Sequence, residues 1–145
     1  MSRRIPNQQP TTSNQQPNRR FSIWLHWLVV VAIAGGIFFA SSLTSEQKPG
    51  DPFVGADKVE HFLAYGIFAI ALYSAIAVSA PRRHRIFHLI LTIAIAAVYA
   101  ATDEIHQHFT PGRSMSPLDW RADVIGASVA AAIMYIQTLI GGHDS

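Results

Sequence analysis

Asp57, His61 and Tyr65 follow one another at intervals of four residues, so on a helix they stand one above another on a single face. Glu104 and His108, Asp103 and Gln107, and Asp119 and Asp123 repeat that spacing, Lys58 falls near the first face, and Arg113 lies between the later pairs. Carboxylates beside an imidazole can exchange protons near neutral pH. The planar guanidinium of arginine suits a carboxylate or a phosphate. Most of these residues crowd into positions 102–123, between apolar runs each about long enough to cross a bilayer. Charge bordering hydrocarbon is expensive, which marks the cluster as a candidate site.

His61, Glu104, His106 and His108 are donors of the kinds zinc takes. Glu-x-His-x-His, however, splays its side chains by about 200° between i and i+2 on a helix. No His-Glu-x-x-His is present, so neither a metal nor another cofactor is expected. Asp57, Glu60 and Asp119 also suit helix N-termini, where acids answer the macrodipole. Asp103 and Glu104 fall at a helix C-terminus, where negative charge is disfavoured. A cation should compensate them, with Lys58, Arg113 and Arg121 as candidates. Arg113, turned back by Pro111-Gly112, is expected to be the central one, pairing with Glu104 or Asp103 and with Asp119. Asp123, a turn inside its helix, should also find a partner. His26, His84, His88 and His143 are expected at interfaces or in packing.

Four elements must carry this cluster. Residues 23–43, 62–80, 86–102 and 124–140 contain no Asp, Glu, Lys or Arg. At 1.5 Å per residue they span roughly 25–31 Å, against a hydrocarbon core of about 30 Å. They lack the period-two alternation of barrel strands and the polar outer face of soluble bundle helices. The fold class is therefore all-α: a four-helix polytopic transmembrane bundle, residues 21–141, with a disordered cytoplasmic tail over 1–20. The helices are predicted at 22–43, 57–79, 82–108 and 116–140. Asp57-Lys-Val-Glu60 reads as a capping box, and Ser116-Pro117-Leu-Asp119 as a second helix start. Gly35-Gly36, and the row Ala122, Gly126, Ala130, offer faces for close helix packing.

The chain has 145 residues, 50% hydrophobic and 14% charged, where a soluble domain carries about 25% charged. Its positive charge is local. Arg3, Arg4, Arg19 and Arg20 precede the first run, and Arg82, Arg83 and Arg85 separate the second from the third. The other two connections hold eight of the nine acids. Arginine-rich segments stay inside, so both termini are expected in the cytoplasm, and the cluster faces out. No nucleic-acid partner is expected. The absence of cysteine excludes disulfides and thiolate catalysis.

These residues resemble the VanZ-like family of small integral membrane proteins. The likeness is carried by Asp57-Lys58-x-x-His61-Phe62-x-x-Tyr65, then Asp103-Glu104-x-x-Gln107-x-Phe109-x-Pro111-Gly112-Arg113, then Asp119-x-x-Ala122-Asp123-x-x-Gly126. It extends over about residues 23–140. One departure is Asp123, a carboxylate where the family often has Asn. The family takes its name from a member associated with resistance to the glycopeptide teicoplanin. The resemblance therefore implies a multi-pass protein of the bacterial inner membrane, without implying a particular reaction. The leading expectation is an outward-facing site formed by Asp57, Lys58, His61, Tyr65, Asp103, Glu104, Gln107, Gly112, Arg113, Asp119 and Asp123. That site would bind an anionic lipid headgroup or a peptidoglycan-related ligand. The expected partners are membrane lipids and that ligand, with a homo-oligomer as an option. One alternative is a membrane-embedded hydrolase or transferase using Glu104 or His61 as general base, for which no nucleophile motif is present. Another is a small transporter or assembly subunit, although the cytoplasmic half offers no polar path.

Overall fold

A computed structural model describes residues 19–44, 46, 53–81 and 83–141. Residues 1–18, with the expected tail, and Lys48, Arg82 and His143 lie outside the described residues. Four helices follow in order: α1 (Arg19–Ser41), α2 (Ala56–Ser79), α3 (Arg85–His108) and α4 (Pro117–Ile140). No strand occurs among the described residues. At 23 or 24 residues each, the helices are about 35 Å long, enough to cross a hydrocarbon core of about 30 Å. Leu28, Val31, Ile67, Ile90, Val98 and Ile133 are among the large apolar side chains left exposed on all four helices. Such an outer surface suits lipid and would be an aggregation liability in water. All four helices have the length and apolarity of membrane spans, and the chain is a multi-pass membrane protein.

α2 is the central helix. It buries Tyr65, Phe68, Ala69, Leu72, Tyr73, Ala75 and Ile76, and packs against α1, α3 and α4, most extensively against α4. Small residues explain that preference. A Cβ added to Gly126 would collide with the Phe62 backbone, and one added to Gly66 would lie 3.6 Å from the Gly126 carbonyl oxygen. Without side chains between them, the two backbones come into direct contact. Lys58 meets Asp119, His61 meets Asp123 and Tyr73 meets Thr138, so α2 and α4 run in parallel and start at the same end. α3 runs the opposite way and brings its C-terminus to that end.

α1 is the outlying helix, with only Val30 and Ser41 buried. Trp27 Nε1 donates to Ser79 Oγ at 3.0 Å, and the Tyr99 hydroxyl donates to the Ala34 carbonyl at 2.7 Å. The Gly35-Gly36 packing expectation does not hold: added Cβ atoms there would meet nothing within 4 Å.

The helix ends shift slightly from those read in the sequence. α1 begins at Arg19, so Arg19 and Arg20 belong to the helix rather than to a tail. α2 is preceded by Gly55 as N-cap, at φ 86°, with no side-chain cap hydrogen bond. The expected capping box with Asp57 as N-cap is therefore not formed, because the left-handed turn at Gly55 starts the helix earlier and moves Asp57 into the first turn. α3 starts at Arg85 rather than at 82, after an extended His84. α4 starts as expected: Ser116 Oγ accepts from the Asp119 N–H at 3.3 Å, with Pro117 in the first position. His88 is buried, its Nε2 3.0 Å from the Ala80 carbonyl that ends α2.

Candidate functional site

The parallel start of α2 and α4 places two acids, Asp57 and Asp119, in first turns at the same end, where the macrodipole favours them. Lys58 lies between them, its Nζ 2.5 Å from Asp57 Oδ2 and 2.5 Å from Asp119 Oδ1. The Asp119 contact is an ion pair by distance, without the alignment of a directed hydrogen bond. One turn deeper, His61 Nδ1 stands 2.9 Å from Asp123 Oδ1, and Asp123 is fully buried. Deeper still is Tyr65, 1% exposed. The i, i+4 faces of α2 and α4 thus meet as a ladder.

α3 contributes Asp103, Glu104 and Gln107, all buried. The sequence led us to expect cations beside the two acids, and the structure corrects this. Glu104 Oε2 accepts the backbone N–H of Ser116 at 2.6 Å, so the start of α4 compensates it. Asp103 Oδ2 accepts from Gln107 Nε2 at 3.3 Å. Arg113 Nη2 donates to Gln107 Oε1 at 2.5 Å, so it reaches Asp103 through the amide rather than directly. The expected direct pairing of Arg113 with Glu104, Asp103 or Asp119 is absent among the described residues. Gln107 stands between guanidinium and carboxylate, and an amide can serve both, accepting on its oxygen and donating from its nitrogen. Gly112, at φ 73°, makes the turn that returns Arg113 to α3. Arg121 is exposed and takes no part.

His106 and His108 separate from the cluster. His106 stacks on Phe38, with ring centroids 4.4 Å apart, and its Nε2 lies 3.0 Å from Ser42 Oγ. His108 is exposed. Two supporting residues escaped the sequence reading. Ser41 Oγ accepts from Gln107 Nε2 at 3.5 Å, and the Ser116 backbone holds Glu104. A serine closing an apolar run carries no signal for the first, and a backbone donor leaves none for the second.

Beside the ladder opens a cleft of about 340 Å³ between α1, α2 and α3. Its polar end is formed by Glu60, His61, Asp103, Gln107 and Arg113, and its walls by apolar residues that include Ile33, Ile37 and Ile67. A second groove, of about 400 Å³, shares Ile33 and Ile67 and continues along α1 and α2 past Val29 and Ile70 to Leu25 and Ser74. Four buried polar atoms near the polar end have no hydrogen-bond partner among the described residues: Tyr65 Oη, Asp103 Oδ1, Glu104 Oε1 and Asp123 Oδ2. Unpaired buried polar groups are uncommon, and each calls for an explanation.

Compared with known protein families, residues 4–139 match the one described as VanZ/LLP1. The chain belongs to that family. The three sequence blocks that carried the resemblance are the ladder, the α3 acids with their arginine turn, and the α4 face packed against α2. In this VanZ-type membrane protein the acids of those blocks, with Lys58 and Arg113, lie at one end of the bundle, and Arg19, Arg20, Arg83 and Arg85 lie at the other. No curated protein and no solved structure matches it.

Proposed function

We propose that this VanZ-type protein resides in the bacterial inner membrane with both termini cytoplasmic, and that it binds an amphiphile with an anionic headgroup in the cleft between α1, α2 and α3. One observation carries the proposal: the polar end of the cleft runs directly into an apolar groove along two membrane-spanning helices. A headgroup would lie against Arg113 and His61, and an acyl or isoprenoid chain against Ile33, Ile67 and Val29. The guanidinium takes the anionic group. Asp103 and Tyr65, which also line the cleft and have unpartnered oxygens, suit a headgroup that carries hydroxyl donors, such as a glycerol or a sugar. Lipid-linked wall precursors and glycerophospholipids share that chemistry. The orientation follows from the arginine-rich segments before α1 and between α2 and α3.

Purified protein in nanodiscs of phosphatidylglycerol should unfold at a higher temperature than in phosphatidylcholine, and Arg113→Ala should abolish the difference. Equal melting in both lipids, or an Arg113→Ala variant that keeps the full difference, overturns the assignment. The catalytic alternative has the 2.9 Å contact of His61 with Asp123 in its favour, the geometry of a base and its orienting acid.

A further inference from the structure

His61 of α2, Glu104 of α3 and Asp123 of α4 each bring one ligand-type atom to a common point, and these atoms lie within 4.8 Å of one another. Two of the three are almost sealed from solvent, Asp123 at 0% and Glu104 at 3% exposure. Each keeps one carboxylate oxygen without a partner, Asp123 Oδ2 and Glu104 Oε1. Leaving a buried acceptor unsatisfied is costly, and more so when it is charged. The fixed cations are committed elsewhere, Lys58 between Asp57 and Asp119 and Arg113 on Gln107. A protonated His61 would serve Asp123 Oδ1 and leave both orphaned oxygens as they are.

The geometry points to a divalent transition-metal ion of zinc-like preference held by His61, Glu104 and Asp123. One imidazole nitrogen with two carboxylate oxygens is a donor set that zinc accepts, whereas magnesium and calcium favour all-oxygen sets. Two carboxylates and a neutral imidazole balance the charge of a divalent ion. With bonds of about 2.0–2.1 Å, a tetrahedral ion needs donors roughly 3.3 Å apart. His61 and Asp123, at 2.9 Å, already approach that spacing, and side-chain rotation brings in the rest. The Ser116 N–H holds Glu104 by Oε2, which leaves Oε1 free to ligate. His61 also lines the cleft, with its side chain 11% exposed, so the ion has a way in. The sequence weighed His61 and Glu104 together with His106 and His108, and argued against a metal because the α3 histidines splay apart. The folded chain supplies a different third donor from α4.

Full-length protein in detergent is stripped with EDTA, returned to chelator-free buffer and titrated with zinc chloride by calorimetry, with no lipid added. The expected result is one tightly bound zinc per chain and a raised melting temperature. Asp123→Asn and Glu104→Gln should each weaken zinc binding by about 100-fold or more, at least what loss of an outer-shell partner can cost. His108→Ala, at an exposed histidine, should bind as wild type. X-ray absorption on the wild-type zinc complex should show a single imidazole among oxygen donors, and it decides the matter if a carboxylate variant fails to fold. The site is overturned by absence of stoichiometric zinc uptake, by folded carboxylate variants that bind as tightly as wild type, or by two or more imidazoles on the metal. Lipid binding is measured in EDTA and zinc binding without lipid, so the two proposals fail separately.

Discussion

Arg113 shows how much one intermediate amide changes. Its guanidinium meets Gln107 Oε1 at 2.5 Å, and Gln107 passes the contact on to Asp103. Gln107→Leu should therefore mimic Arg113→Ala in the lipid assay, although it removes no charge. Because it also strands Asp103 and frees Arg113, it should lower stability by about 2 kcal/mol, the scale of a hydrogen bond to a charged group. Chemical denaturation in detergent checks this, and an unchanged midpoint would mean that the relay is not formed. Arg113→Lys should impair lipid discrimination nearly as much as alanine, because a point-like ammonium does not reproduce the planar, bidentate fork of the guanidinium. Arg121→Lys, at an exposed position, should behave as wild type.

At the scale of elements, the α2–α4 contact decides whether the site assembles. The ladder of Lys58 with Asp119 and His61 with Asp123 exists only because Gly126 lets the α4 backbone lie against Phe62. Gly126→Ala should destabilise the bundle by about 3 kcal/mol, the upper end of overpacking, or more, since the atoms it meets are backbone. Gly126→Leu should be worse still. Ile133→Leu, on an exposed face of the same helix, should shift detergent stability by less than about 0.5 kcal/mol. Gly35→Ala should also be tolerated, because nothing lies within 4 Å of the added atom. If Gly126→Ala and Gly35→Ala melt alike, the close approach of α2 and α4 is wrong. Ser116→Ala removes the side-chain cap of α4 and should cost about 1 kcal/mol.

For the whole molecule, the decisive property is that every charged group of the site lies at one end of the bundle. In the proposed orientation, with both termini cytoplasmic, that end would face out. A phosphatase reporter fused after Ser145 should then be inactive, and a fluorescent reporter that folds only in the cytoplasm should be bright. The reverse pattern would turn the site towards the cytoplasm and remove wall precursors on the outer face as ligands. α1 buries few of its residues and forms one wall of both grooves.

Fold class was legible in the sequence because four charge-free runs of spanning length admit few structures in a bilayer, where each backbone polar group must be paired within its own element. The i, i+4 spacing likewise fixed which side chains share a face: Asp57, His61 and Tyr65 on α2, and Asp119 and Asp123 on α4. Family membership was legible too, because three polar blocks in fixed order are specific. Spacing along one helix, however, says nothing of its rotation or depth against another. Hence the sequence aimed Arg113 at an acid when it meets Gln107, and gave Glu104 a cation when it meets the Ser116 N–H. It offered both Gly35-Gly36 and the Gly126 row as packing faces, and of these Gly126 lies against a neighbour whereas Gly35 and Gly36 do not. That His61, Glu104 and Asp123 converge on one point was decided by packing alone, since residues far apart in the chain are brought together only when three helices set their relative heights.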